Sequence, residues 1–140
     1  MDELTCAAAH IDAATLGDAV LREVAVLLAT LARTPDFSDA IDLHSLPLSD
    51  DDREQLRQRL GRGEIEASFD LAGPTRITET AFAGVWWVRH ADAQDRAVLE
   101  QIVVARVPAL LLAHPEDIAD AARRLGAALE STAPEETPHD

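Results

Sequence analysis

Cys6 is the only cysteine in the chain, so no disulfide can close within it and no thiolate cluster can gather a metal. With no signal peptide legible either, a reducing cytoplasm is the expected compartment. Histidine gives no more purchase. His10, His44, His90, His114 and His139 fall into no HxH, HxxxH or HExxH spacing, the arrangements that set two imidazoles on one side of a helix or strand. They read as surface or packing residues, with His114 shaping the helix entry at Pro115. No metal and no cofactor is expected. Motifs of the GxSxG, phosphate-loop and GxGxxG kinds are missing too, and nothing is placed to activate Cys6. Glu64, Glu66, Asp70 and Glu79 could supply an acid and a base, but carboxylates alternating along strands usually form a solvated face. The expectation is a protein that is not an enzyme.

Positive charge is scarce. Twelve basic side chains stand against 26 acidic ones, a formal charge of −14. Such a field repels polyanions, so neither nucleic acid nor an anionic membrane surface is an expected partner. The acidity serves solubility, and it also suits a partner with a basic patch. Long apolar runs are lacking as well. The most apolar stretch, residues 24–32, is too short to cross a bilayer, and Arg22, Glu23 and Arg33 flank it. What remains is a chain 47% hydrophobic and 27% charged, the balance of a globular domain with a core of its own.

Local patterns place the elements. Residues 1–14 have no clear periodicity and read as a flexible lead. Thr15 and Asp18 resemble a capping box, and Leu16, Val20, Val24, Leu27, Leu28 and Leu31 recur at helical spacing, so residues 15–34 form a helix that Pro35 stops. Residues 41–48 alternate as a short strand or an extended lead-in. Ser49 caps a second helix with Asp50, Asp51 and Asp52 in its first turn and Leu56 and Leu60 inside. Gly61 and Gly63 end it.

Ile65, Ala67, Phe69 and Leu71 alternate with Glu64, Glu66, Ser68 and Asp70, the period of a strand with one dry and one wet face. Residues 75–82, 85–90 and 97–107 read as three more strands. Short turns between them favour antiparallel pairing. Pro115, Glu116 and Asp117 open a last helix whose inner face is Ile118, Ala121, Ala122, Leu125 and Leu129. The acidic tail, residues 131–140, reads as disordered. The predicted fold is α+β: a four-stranded antiparallel meander with helices packed on one face.

Trp86 and Trp87 are adjacent on a strand, so they point to opposite faces and cannot share one core. One indole is then left for a partner, for a second copy of the chain, or for the segment 110–112 to cover, and tryptophan is enriched at binding hot spots. Arg89 has Trp87's parity and could rim such a patch. Arg76 and Glu79 face opposite sides of their own strand, and the residue beside Arg89 depends on a register that the sequence leaves open. Trp86, Trp87, Arg89 and Glu79 are the candidate partner-binding residues.

Residues 41–125 resemble the C-terminal domain of the hydrogenase expression/formation proteins of the HupH, HyaF and HoxQ type. Leu46, Pro47, Leu48 and Ser49, with Asp52, Leu56 and Leu60, look like that family's LPLS helix lead-in. Leu60, Gly61, Gly63 and Glu64 match its LGxGE turn. Glu79 and Thr80 with Gly84, Val85, Trp86 and Val88 match its ETxxxGVWxV run. Residues 99–105, Pro108 and residues 114–118 match the closing strand, the proline junction and the last helix. The resemblance assigns residues 41–130 to one HupH C-terminal-like domain.

It implies a chaperone in maturation of NiFe uptake hydrogenases, binding the iron–sulfur small subunit before export, alongside other maturation proteins. An acidic surface would steer it toward basic segments such as a twin-arginine signal. Typical members are about twice this length, with an earlier, diverged copy of a similar domain. Either the single domain suffices, or two chains pair as a homodimer. A nickel or iron metallochaperone and a generic dimeric interaction domain are the alternative readings.

Overall fold

The computed structural model describes residues 15–70 and 72–136. The lead 1–14, Leu71 and the last four residues of the tail lie outside the described residues. The chain divides between Pro108 and Ala109 into two compact units.

In the first unit, the leucine and valine stripe makes α1, Leu16–Arg33. The Thr15 hydroxyl accepts the Asp18 N–H and the Asp18 carboxylate accepts the Thr15 N–H, both at 3.2 Å. Aspartate thus closes the capping box that glutamate usually closes. Thr34 is extended ahead of Pro35 and ends the helix. A short strand, β1 (Asp39–Asp42), leads into a 3-10 turn, Leu43–Ser45. Helix α2, Asp50–Leu60, starts with a second capping box between Ser49 and Asp52, 3.0 Å each way. Gly61 ends it at φ +69°, a conformation open to glycine.

Four strands follow: β2 (Glu66–Asp70), β3 (Pro74–Glu79), β4 (Val85–Ala91) and β5 (Ala97–Val104). Each pairs antiparallel with the next, as the expected meander requires. The sheet has five strands rather than four, because β1 pairs antiparallel with β5 to give the order β1-β5-β4-β3-β2. Only Ile41 of β1's four residues is buried, too short a run for alternation to reveal. The strand ends where the Asp42 carboxylate accepts the His44 N–H at 2.9 Å, so residues 43–48 are not strand. β3 stops at Glu79 because the Thr80 hydroxyl donates to the Val85 carbonyl at 2.9 Å and accepts the Phe82 N–H at 3.1 Å, turning the chain. The dry side of β2 is only partly dry: Ile65 is exposed, and Ala67 and Phe69 are half-buried. An edge strand has a neighbour on one side only.

Helices α1 and α2 bury Val20, Val24, Leu31, Leu56 and Leu60 in one cluster with Ile41, Val85, Trp87, Ile102 and Val104 of the sheet. The second unit holds a 3-10 turn, Ala109–Leu111, and α3, Pro115–Glu136. Ile118 and Leu125, expected on an inner face, are exposed. A helical period identifies an apolar stripe without saying what it meets. α3 also runs past Ser131, where a disordered tail was expected, since adding residues to a formed helix costs far less than nucleating one. Among the described residues no helix is long and apolar enough to cross a membrane.

Candidate docking site

β4 sends Trp86 and Trp87 to opposite faces, as a strand must, yet neither indole is left open. Trp86 is 4% exposed and Trp87 8%. Trp87 lies on the helix side of the sheet, opposite Ile102 of β5. Its Nε1–H donates to the Glu100 carboxylate at 2.9 Å. Arg57 of α2 covers the ring, its guanidinium carbon 4.9 Å from the ring centroid, a cation–π contact. On the other face, Trp86 donates its Nε1–H to the Ala105 carbonyl at 3.0 Å. Of the readings left open for the indoles, an open ring awaiting a partner is not what is found: each indole N–H meets a buried acceptor, and a helix arginine caps the Trp87 ring.

Glu100, which sequence reasoning missed, organises this region. It is 2% exposed and accepts from Trp87, from Arg57 at 2.8 Å and from Arg53. Burial pushes its carboxyl up, but the Trp87 N–H and the two guanidiniums outweigh that, and the net shift is below the ordinary 4.5. Arg53 and Arg57 lie one turn apart, so α2 offers both to one carboxylate. The only sequence signal is a glutamate sharing the parity of Ile102 and Val104.

Beside this knot an open cleft of about 860 Å³ lies between the second half of α2, the turn after it, and strands β3 and β4. Trp87 and Arg57 are joined in its lining by Arg62, Arg76, Arg89 and Glu54. The register left open by the sequence puts Arg76 directly opposite Arg89. Glu66 is shared by Arg76 at 3.2 Å and Arg62 at 3.5 Å. Arg89 donates to the Asp95 carbonyl at 3.3 Å, with the Asp95 carboxylate 3.7 Å away.

Of the four predicted residues, Trp87 and Arg89 therefore line one cleft. Glu79 is the cross-strand neighbour of Trp86 and belongs to the opposite face. Among the described residues no group of three or more His, Cys, Asp or Glu side chains comes together to hold a metal. His90 is engaged with the Thr75 hydroxyl at 2.6 Å. Cys6, His10 and His139 lie outside the described residues.

The conserved C-terminal region of the HupH hydrogenase expression proteins matches residues 15–132. The chain belongs to this family. It is 33% identical over 119 residues to the hydrogenase expression/formation protein HupQ of Azotobacter chroococcum, an alignment covering 80% of this chain and 42% of that protein. It is 38% identical over 86 residues to HoxQ of Azotobacter vinelandii, covering 61% of this chain and 30% of HoxQ. The hydrogenase-1 operon protein HyaF of Escherichia coli is 35% identical over 94 residues, 66% of this chain and 33% of HyaF. The chain thus spans between about a third and two fifths of the length of these curated relatives.

Among solved structures, the hydrogenase expression protein HupH of Thiobacillus denitrificans has the same fold, with a TM-score of 0.78 at 37% identity. That likeness covers 82% of this chain and 95% of the other. Of the motif positions matched above, Gly61 and Thr80 lie in the cleft lining.

Proposed function

We propose that the chain is a non-catalytic accessory protein of NiFe uptake hydrogenase maturation, working in the cytoplasm on the immature iron–sulfur small subunit before assembly and export. The observation that carries this reading is the match of residues 15–132 to the HupH C-terminal region. The names of the relatives, expression/formation and operon proteins of hydrogenase, support it. The cleft supplies the physical means.

Its floor is rigid in advance. Glu100 holds both the Trp87 indole and the Arg57 guanidinium, so the floor itself loses little entropy on binding and the ordering cost falls on the rim. Contact with a partner falls to the arginine rim, with the indole beneath as support. No bare tryptophan is presented to the partner.

The test is co-purification of the tagged chain from cells expressing the small and large hydrogenase subunits separately. Retention of the small subunit alone is the expected result. Retention of the large subunit alone, or of neither, contradicts the reading.

A further inference from the structure

Every one of the 12 basic residues is arginine, and they are outnumbered by 26 acidic ones. Against that background four arginines, Arg57, Arg62, Arg76 and Arg89, line a single cleft, where the only acidic lining residues are Glu54 and Asp95. Two of the four stand directly opposite one another on neighbouring strands. Like charges in that position are destabilising, so folding alone gives no reason to put them there. Each has a carboxylate within 4 Å, Glu100 for Arg57, Glu66 for Arg62 and Arg76, and Asp95 for Arg89, but these acceptors leave most of the rim's N–H donors unused. A guanidinium carries five N–H donors, and the single Glu66 carboxylate serves both Arg62 and Arg76. Their side chains stay 66% and 63% exposed. Arg89 donates to the Asp95 carbonyl at 3.3 Å, while the Asp95 carboxylate, 3.7 Å away, is too far for a hydrogen bond.

Guanidiniums recognise carboxylate and phosphate in the plane of two parallel N–H bonds. The wider charge separates these two ligand classes. A chain of charge −14 repels a nucleic acid along its whole length. A short segment with a few carboxylates feels mainly the charges within about 8 Å, the screening length at physiological salt. Arg62 and Arg76 are largely exposed and Arg89 half-buried, so the cleft is open rather than enclosing, and an extended polypeptide suits it better than a small anion, which needs a pocket around it.

We infer that this cleft is the docking site for an acidic segment of a partner polypeptide, whose aspartate or glutamate carboxylates pair with Arg62, Arg76 and Arg89 while its backbone crosses the Arg57–Trp87 stack. This deepens the proposed function, resting on it for the partner's identity and adding the chemistry that the partner must present.

The experiment is fluorescence anisotropy of a short labelled peptide alternating Glu and Ser, titrated with the full chain. Saturable binding that weakens with added salt is expected. The Arg76→Ala/Arg89→Ala double variant loses at least about tenfold in affinity, the loss of one charge-assisted hydrogen bond. The Arg22→Ala/Arg33→Ala variant, which removes the same charge from exposed positions of α1 outside the cleft lining, binds as the parent does. Should the first double variant fold poorly, Arg76→Gln alone keeps an exposed neutral side chain and still weakens binding.

Equal loss in both double variants overturns the site. So does an absence of binding, or tighter binding of tripolyphosphate, of a single-stranded oligonucleotide or of a Lys–Ser peptide. No hydrogenase component enters this titration, so the cleft and the hydrogenase role fail separately: peptide binding without small-subunit capture sinks the role, and capture undiminished by Arg76→Ala/Arg89→Ala sinks the cleft.

Discussion

Glu100 shows how much of the site hangs on a single buried charge. Its carboxylate is shielded from bulk water and accepts the Trp87 N–H and two guanidiniums that stay partly exposed, and the two arginines come from 47 and 43 residues earlier in the chain. Replacing it by glutamine keeps the shape but loses the charge. Glu100→Gln is expected to cost about 1–3 kcal/mol at neutral pH, read by urea denaturation, as charge-assisted bonds become weaker neutral ones. Because the folded carboxyl sits below 4.5, its contribution is full above the ordinary carboxylate range and disappears as the pH falls through the depressed value. Once the pH lies below that depressed value, the gap between parent and variant should therefore close. A gap independent of pH would mean that Glu100 acts by packing and not by charge. None of this is legible in the sequence, where a glutamate within a strand reads as solvated until a helix is known to lie over it.

At the scale of elements, what the sequence carries locally is what it discloses. Both capping boxes announce their helices, because the two partners lie three residues apart. The meander is legible from alternation and short turns. β1 is not, since one buried residue in four makes no pattern. The apolar stripe of α3 is visible, but its exposure is not.

The turn from α2 into β2 is the element on which the cleft's geometry rests. A Cβ at Gly63 would stand 2.6 Å from the Thr80 carbonyl and 2.7 Å from a Glu79 carboxylate oxygen. The backbone carbonyl cannot swing aside as a side chain could. Gly63→Ala should therefore cost about 1–3 kcal/mol, the range for overpacking, seen as a lower denaturation midpoint. It should also weaken acidic-peptide binding by displacing Arg62. Unchanged stability would mean that the turn yields more easily than its hydrogen bond from Gly63 N–H to the Glu79 carbonyl, at 2.8 Å, suggests.

Over the whole molecule, charge is distributed unevenly. A chain with more than two acids for every base gathers a third of its arginines along one cleft. The net charge, read alone, points toward basic partners. The register of β3 on β4 adds a local site of the opposite preference, and register is the quantity that alternation leaves undetermined. The fold class and the family lay within reach of the sequence, while the place where a partner would sit depended on contacts between α2 and the sheet.

The central claim, that this HupH-family chain meets the hydrogenase small subunit at the arginine cleft, is tested most directly by photo-cross-linking in cells that make the hydrogenase. A photoreactive amino acid placed at Arg76 should yield an adduct with the small subunit, and the same group placed at Arg22 should not. Adducts of equal yield from both positions, or none with any hydrogenase subunit from Arg76, would contradict it.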